Sequence, residues 1–352
     1  MVNDVKLHAE LKAGENFGTT NLNLKVTEPK KTNISVFSDN TGRGETGLIR
    51  YGLNMGNNSL LGYRDRFNLV LFGADGMQAG SLSYSIPFDK VGSRLILNYN
   101  KNATDIISGE YENVNIEGDY EDYRIGFSRP LIVKNGLKVD GALEYTKKES
   151  DTFFSGVNLL TTDIETYSLG ISTQSIKEGS AWNTSSNILL GSANSGKDDY
   201  SDPGTSDEYI KYNFYLENQR LMKDESIFTF KSYLQGSNNK LLPSSEQFSL
   251  GGMSTVRGYE EGKLIGDQGY FLSIELSKAV SDKANYFVFL DHGGVFPYKG
   301  NEETITNDDY LTGIGNGFTI NFTESISGEF ILGVPFRGEE KPRIHFALQK
   351  VW

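Results

Sequence analysis

From Lys30 to Trp352 apolar and polar residues alternate with a period of two, in segments of about ten to thirteen residues. Ile49, Tyr51, Leu53 and Met55 stand against Arg50, Gly52, Asn54 and Gly56. Ile210, Tyr212, Phe214 and Leu216 stand against Lys211, Asn213, Tyr215 and Glu217. Tyr270, Leu272, Ile274 and Leu276 face away from Phe271, Ser273, Glu275 and Ser277. Successive side chains of a strand point to opposite faces, so each segment reads as a strand with one apolar and one polar face. An amphipathic helix would instead space its apolar residues three and four apart.

The connections between these segments also alternate. One set is short: Asn58 to Gly62, Phe88 to Gly92, Pro130 to Gly136, Ser175 to Gly179, Met222 to Glu225, Val280 to Lys283 and Thr323 to Ser325. The other set is mostly longer and more polar: Asn102 to Gly118, Ser150 to Thr161, Asn194 to Asp207, Asn238 to Gly266 and Pro297 to Asp309. Thr41 to Thr46, Asp75-Gly76 and Arg337 to Lys341 are its short members. Counting between the breaks gives sixteen strands. An even strand number, strands of about ten residues, and turns on one side with loops on the other describe a transmembrane barrel. Soluble sheets favour strands of about 5–6 residues, and a β-helix would show a fixed repeat, which is not evident here. The expected fold is all-β: a 16-stranded antiparallel transmembrane β-barrel over residues 30–352.

Composition agrees with one polar and one apolar face. Hydrophobic residues are only 37%, yet there are 19 Tyr, 21 Phe and 39 Gly. Mean hydropathy is −0.41, and no apolar run approaches the roughly 18 to 20 residues of a spanning helix. A barrel averages its lipid-facing and lumen-facing residues, so it looks soluble by this measure. The 34 basic and 46 acidic residues leave a net charge of −12, which argues against nucleic acid as a partner. The absence of cysteine excludes disulfides, cysteine metal sites and thiol catalysis. No charged-then-apolar leader opens the sequence, so an outer-membrane reading carries the expectation of a longer parent chain.

Residues 1–29 read differently. Val5 to Leu11 and Leu22 to Val26 alternate around a glycine-containing turn, and Glu28-Pro29 closes the unit. An isolated two-stranded hairpin is marginal in water, so this one is expected to be the end of a larger domain.

The longest connection contains Gly251-Gly252-Met253-Ser254-Thr255-Val256-Arg257-Gly258-Tyr259. Its glycines permit left-handed turns and close packing. Its arginine offers a planar fork that suits a carboxylate. On a later segment, parity puts Phe287, Phe289 and Asp291 on one face, and Tyr286, Val288 and Leu290 on the other. The second set suits lipid, so Asp291 points into the lumen. A buried carboxylate needs a partner, and a loop folded inward could supply Arg257.

These two stretches carry a resemblance. Val256-Arg257-Gly258-Tyr259, preceded by Gly251-Gly252, resembles the loop signature of the outer-membrane insertase and two-partner secretion transporter superfamily. Phe289, Asp291 and Gly293 resemble its companion strand signature. The resemblance implies that the sixth surface loop enters the lumen and that Arg257 pairs with Asp291. Within the superfamily the chain looks most like the haemolysin and filamentous haemagglutinin secretion branch. Residues 18–28 resemble the end of that branch's second POTRA domain. Ser38-Asp39-Asn40, Asn58 to Gly62 and Arg64-Asp65 resemble its first strands and turns. Trp352 stands where such barrels usually end in Phe.

The resemblance implies a single-copy bacterial outer-membrane pore that secretes a partner exoprotein, with outer-membrane lipid around it and no cofactor. An insertase of the same superfamily, a passive porin, and a soluble β-rich enzyme or carbohydrate binder are the alternatives. No catalytic motif stands out, and no enzyme is expected. His8, His292 and His345 show no ligand spacing and are expected at the surface or in the lumen. The acidic stretch Asp198 to Asp202 lacks the full EF-hand pattern and is expected to be a solvated loop rather than a metal site.

Overall fold

The computed structural model describes residues 6–13, 19–27, 30–195, 208–238, 241–297, 306–336 and 340–352. The acidic stretch Asp198 to Asp202 lies outside the described residues. A hairpin comes first, with β1 (Lys6–Ala13) antiparallel to β2 (Thr20–Thr27). The barrel strands follow: β3 (Thr32–Asp39), β4 (Arg50–Asn57), β5 (Arg66–Ala74), β6 (Met77–Pro87), β7 (Arg94–Asp105), β8 (Ile116–Lys134), β9 (Leu137–Phe154) and β10 (Val157–Lys177). Next come β11 (Ser180–Ser195), β12 (Glu208–Leu221) and β13 (Ile227–Ser237). A short ribbon, β14 (Phe248–Leu250) with β15 (Leu264–Gly266), interrupts the series. The barrel then resumes with β16 (Gln268–Ser281), β17 (Ala284–Phe296), β18 (Tyr310–Asn321), β19 (Ile326–Pro335) and β20 (Arg343–Val351). Each barrel strand pairs antiparallel with the next, and β20 returns to β3, closing sixteen strands.

The phase follows the alternation in the sequence. On β17 Phe287, Phe289 and Asp291 are 2%, 3% and 0% exposed, while Val288 and Leu290 are 41% and 46% exposed. An apolar side chain left uncovered on every second position is what a lipid-facing wall requires.

Four consecutive strands far exceed the expected length. β8, β9, β10 and β11 hold 19, 18, 21 and 16 residues. The expected long loop from Ser150 to Thr161 is a hairpin instead. β9 and β10 meet at Ser155-Gly156, with φ of 49° and 78°, the left-handed pair of a tight hairpin turn. Likewise β7 and β8 extend into the expected loop from Asn102 to Gly118. The expected break at Pro130 is a bulge between Pro130 and Ile132, and β8 runs on to Lys134.

The outer face explains the extensions. Tyr99 pairs with Tyr123 and Tyr145 with Tyr167, at centroid distances of 4.9 and 5.1 Å. Paired, tilted tyrosines suit the membrane–water interface. Beyond them the outward positions turn charged, with Glu121 opposite Glu149 and Glu149 opposite Asp163. Strands in water need no apolar face, so the periodic signal fades there while the ladder continues.

The closure between β20 and β3 is short, with paired residues from Ala347–Asp39 to Val351–Ser35. Asn40 prolongs it with its side chain. Its Nδ2 donates to the Ile344 carbonyl at 2.7 Å, and its Oδ1 accepts the Phe346 N–H at 2.8 Å. The amide thus adds one donor and one acceptor beside the last main-chain bond, from the Asn40 N–H to the Phe346 carbonyl at 3.3 Å.

Single cysteines at Leu272 and Ile274 are expected to react with a membrane-embedded maleimide, and one at Ser273 is not. The reverse pattern would show the opposite strand phase.

Candidate functional site: a surface loop held inside the barrel

The connection from β13 to β16 turns into the lumen. Its ribbon, β14 and β15, stands at the inner wall, where Phe248 stacks on Tyr233 of β13 with ring centroids 5.5 Å apart. Beyond the ribbon, Gly251 and Gly252 have φ of +110° and +102°. L side chains rarely adopt these values, so glycine is needed for the chain to turn here. The turn is fixed by Gly251 N–H donating to Thr255 Oγ1 at 2.9 Å and Met253 N–H donating to Glu261 at 2.7 Å.

This turn aims Arg257 at β17. Arg257 Nε and Nη2 donate to the two carboxylate oxygens of Asp291 at 2.7 and 2.9 Å, and its backbone N–H donates to Oδ2 at 3.1 Å. Ser273 adds its hydroxyl to Oδ1 at 2.7 Å. Four donors therefore surround a carboxylate with no exposure to solvent. Such a group is costly to bury unless its charge is paired and its lone pairs are satisfied. Arg257 has further partners. Nη1 donates to Glu275 at 2.8 Å, and Cζ lies 3.5 Å from the Phe289 ring centroid. Phe289 is thus a platform beneath the guanidinium.

The flanking residues seat the tip. Val256 and Tyr259 join Phe248, Leu250, Phe271, Val295 and Leu311 in one buried cluster. The Tyr259 hydroxyl donates to the Thr312 carbonyl at 3.1 Å. The Gly258 N–H donates to His345 Nε2 at 3.3 Å. The wall is cut away to receive the backbone. A Cβ on Gly313 would stand 2.1 Å from the Arg257 carbonyl, and one on Gly333 would stand 2.4 Å from the Gly258 nitrogen. On β17, a Cβ on Gly293 would meet the Tyr270 carbonyl of β16 and the Leu250 side chain of the ribbon.

The outer edge of the tip is tied by charge. Glu260 bonds Arg343 on β20, and Lys263 bonds Glu340 at 2.5 Å. The Glu340 carboxylate holds the Lys263 ammonium above its usual pKa.

Every residue of the two sequence signatures is thus in or beside one buried cluster. Ser273, Glu275, Gly313, Gly333 and His345 were not singled out for it. Parity alone puts Ser273 and Glu275 on the inner face, and both are within reach of Arg257 once the loop folds inward. The glycines and His345 carry no such signal, because their role depends on where the loop lands. His292 faces outward, between Tyr270 at 2.8 Å and Thr312 at 2.8 Å. Among the described residues, no group of three or more His, Cys, Asp or Glu is placed to hold a metal.

These features define a class: a sixteen-stranded outer-membrane barrel whose own surface loop occupies its lumen. The family model described as "Haemolysin secretion/activation protein ShlB/FhaC/HecB" matches residues 18–320, and the chain belongs to that family of transporters. "Heme/hemopexin transporter protein HuxB" of Haemophilus influenzae is 22% identical over 332 residues, covering 89% of this chain and 58% of the relative. "Hemolysin transporter protein HpmB" of Proteus mirabilis is 25% identical over 306 residues, covering 77% and 51%. The chain therefore spans between 51% and 58% of the length of these two relatives. Among solved structures, CdiB from Escherichia coli superposes with a TM-score of 0.81 at 19% identity, over 98% of this chain and 67% of that one. BamA from Haemophilus ducreyi lacking POTRA domains 1-3 gives 0.64 at 14% identity, over 99% and 75%. At these identities the two structures establish the shared fold.

Removing Arg257 should cost more than removing Asp291. Arg257→Ala leaves the buried Asp291 charge with no cation, only the Ser273 hydroxyl and the backbone N–H of residue 257, at a cost of about 3–5 kcal/mol. Asp291→Ala leaves Arg257 its bond to Glu275, so the loss is smaller. The double variant should be less damaged than the sum of the two. The temperature at which folded, fast-migrating barrel converts to the slow form on gels reads all three. Equal losses that add would sink the pairing.

Proposed function

We propose that this barrel secretes a partner exoprotein across the bacterial outer membrane, as a two-partner secretion pore. The observation that carries the reading is the loop seated in the lumen on the Arg257–Asp291 pair. A pore for small solutes gains nothing from a buried arginine clamp on an inward loop. A pore for a polypeptide needs a lumen that is closed at rest and can open. On β6 and β7 the inner positions include the polar Ser81, Ser83, Asn98 and Asn100. An extended chain finds hydrogen-bonding groups there and few apolar surfaces to stick to. Outside the cell, burial of the exoprotein's apolar surface as it folds makes return unfavourable, which gives direction without a nucleotide.

Family membership supports secretion over membrane-protein insertion, although the fold is shared with BamA. In this reading residues 1–29 are the C-terminal end of a POTRA domain, and residues 30–352 form a single-copy barrel in contact with outer-membrane lipid. Gly251, Gly252, Val256, Arg257, Gly258 and Tyr259 form the working loop. Phe289, Asp291 and Gly293 form its seat. No cofactor is required, and none of these residues has a catalytic role.

The test is secretion of the product of a neighbouring reading frame that encodes a long, repeat-rich exported protein. Loss of this gene should leave that product inside the cell while other outer-membrane proteins assemble normally. Arg257→Ala and Asp291→Ala should each abolish export in barrels that still insert. Normal export without the gene, or a general failure of outer-membrane assembly, would overturn secretion as the function.

A further inference from the structure

The inward loop has a second buried ionic anchor, away from the arginine. Glu246 lies in the limb that leads from β13 to the ribbon, and it is 1% exposed. One carboxylate oxygen bonds Lys148 of β9, and the other accepts from Lys211 of β12 at 2.5 Å. Its backbone carbonyl accepts from Lys211 Nζ at 3.1 Å and from Gln235 Nε2 at 2.9 Å. Two residues from different strands thus converge their ammonium groups on one carboxylate. Nearby, Leu242 is buried among Ile164, Ala193 and Tyr209, and its N–H donates to Asp267 at 2.8 Å.

The two anchors grip opposite arms of the wall. Glu246 and Leu242 hold the limb to the inner face of β9 to β13. Arg257, Gly258 and Glu260 hold the tip to β16 to β20. Between them stand the ribbon and the left-handed turn at Gly251-Gly252, and the return passes Gly262 at φ +69°. Of the contacts between tip and ribbon, the apolar ones run from Val256 and Tyr259 to Phe248 and Leu250. Among the described residues, Glu246 and Arg257 share no partner.

We propose that Glu246, with Lys148 and Lys211, is a positioning clamp for the root of the loop, so that breaking the Arg257–Asp291 pair frees the tip alone. The glycine pair is then the hinge, and the root stays fixed while the tip moves. This proposal rests on the secretion reading for its purpose, but its structural content does not. An element that must leave the lumen and return needs one end held, because a tethered tip searches a far smaller volume than a free loop. A buried carboxylate between two ammonium groups suits that task. Removing it strands two charges in a site with little water.

These 352 residues contain no cysteine, so single cysteines report each anchor separately. Leu242→Cys reports the root and Val256→Cys reports the tip, each by its rate of labelling with a water-soluble maleimide in purified barrel. In an Arg257→Ala background, the Val256→Cys rate should rise about tenfold or more while the Leu242→Cys rate stays at the parent level. In a Glu246→Gln background the pattern should invert. If Glu246→Gln does not fold, the paired change Lys148→Met and Lys211→Met poses the same question from the wall side. Joint rises in both backgrounds, or no rise at Leu242→Cys on loss of the clamp, would overturn separate anchoring. Export is measured in parallel. Glu246→Gln should reduce secretion with the tip still protected. Undiminished secretion with a labelled root would overturn the positioning role, even with the secretion reading intact.

Discussion

A carboxylate with no access to water dictates much of this molecule. Asp291 stands on a strand whose outer face must meet lipid and whose inner face meets the lumen. Left alone there its charge would destabilise the wall. The solution is a guanidinium delivered by a loop rather than by a neighbouring strand. That choice makes the loop part of the barrel wall. Two of the four donors on Asp291 come from the Arg257 side chain and one from its backbone. The side chain and the course of the loop are therefore fixed together. The same contact explains the missing side chains at Gly313 and Gly333, where the loop's main chain lies against the main chain of the wall.

What could be read from the sequence divides along physical lines. The strand count and the phase of β17 follow from alternation, because lipid contact enforces it residue by residue, whereas the inward course of the loop came from the family resemblance. The pairing of Arg257 with Asp291 was legible through parity joined to a resemblance. The extended hairpin from β9 to β10 was not legible. Above the tyrosine pairs neither face of the sheet is apolar, and Glu149, Asp151 and Asp163 resemble loop residues although they stand on paired strands. Glu246 was hidden for another reason. It occupies a short turn in a polar connection, and its burial depends on the limb lying across strands far away in sequence. Lys148 and Lys211 give no sign of it, since each reads as an ordinary lumen-facing cation.

The Ser38-Asp39-Asn40 stretch is a middle case. Its position at the start of the barrel was legible, but its work was not. Asp39 accepts from Arg50 at 2.9 and 3.1 Å and from Thr41, which fixes the first strand to the second and shapes the loop between them. Asn40 meanwhile continues the shortest strand pairing in the closed sheet with its own amide. Two adjacent residues thus point to two different partners, one inside the barrel and one along its closing edge. Pleating demands that division. Asp39 has its side chain in the lumen, and Asn40, just past the last paired residue of β3, is free to turn toward β20.

The closing edge, the loop tip and the ionic ties form one connected region. Glu260 bonds Arg343 on β20, Lys263 bonds Glu340 beside it, and a Cβ on Gly262 would strike Arg43 in the loop after β3. The tip therefore rests against β20 and the loop after β3 as well as on Asp291. A tip that moves must loosen contacts on β20 and on the loop after β3, where main-chain pairing is already at its shortest. Movement of the loop and the strength of the closure are thereby coupled through shared contacts, with no need for any longer path through the wall. The root, held on β9 and β12, lies outside that region. A barrel built this way can relax on one side of its lumen while the other side keeps its shape.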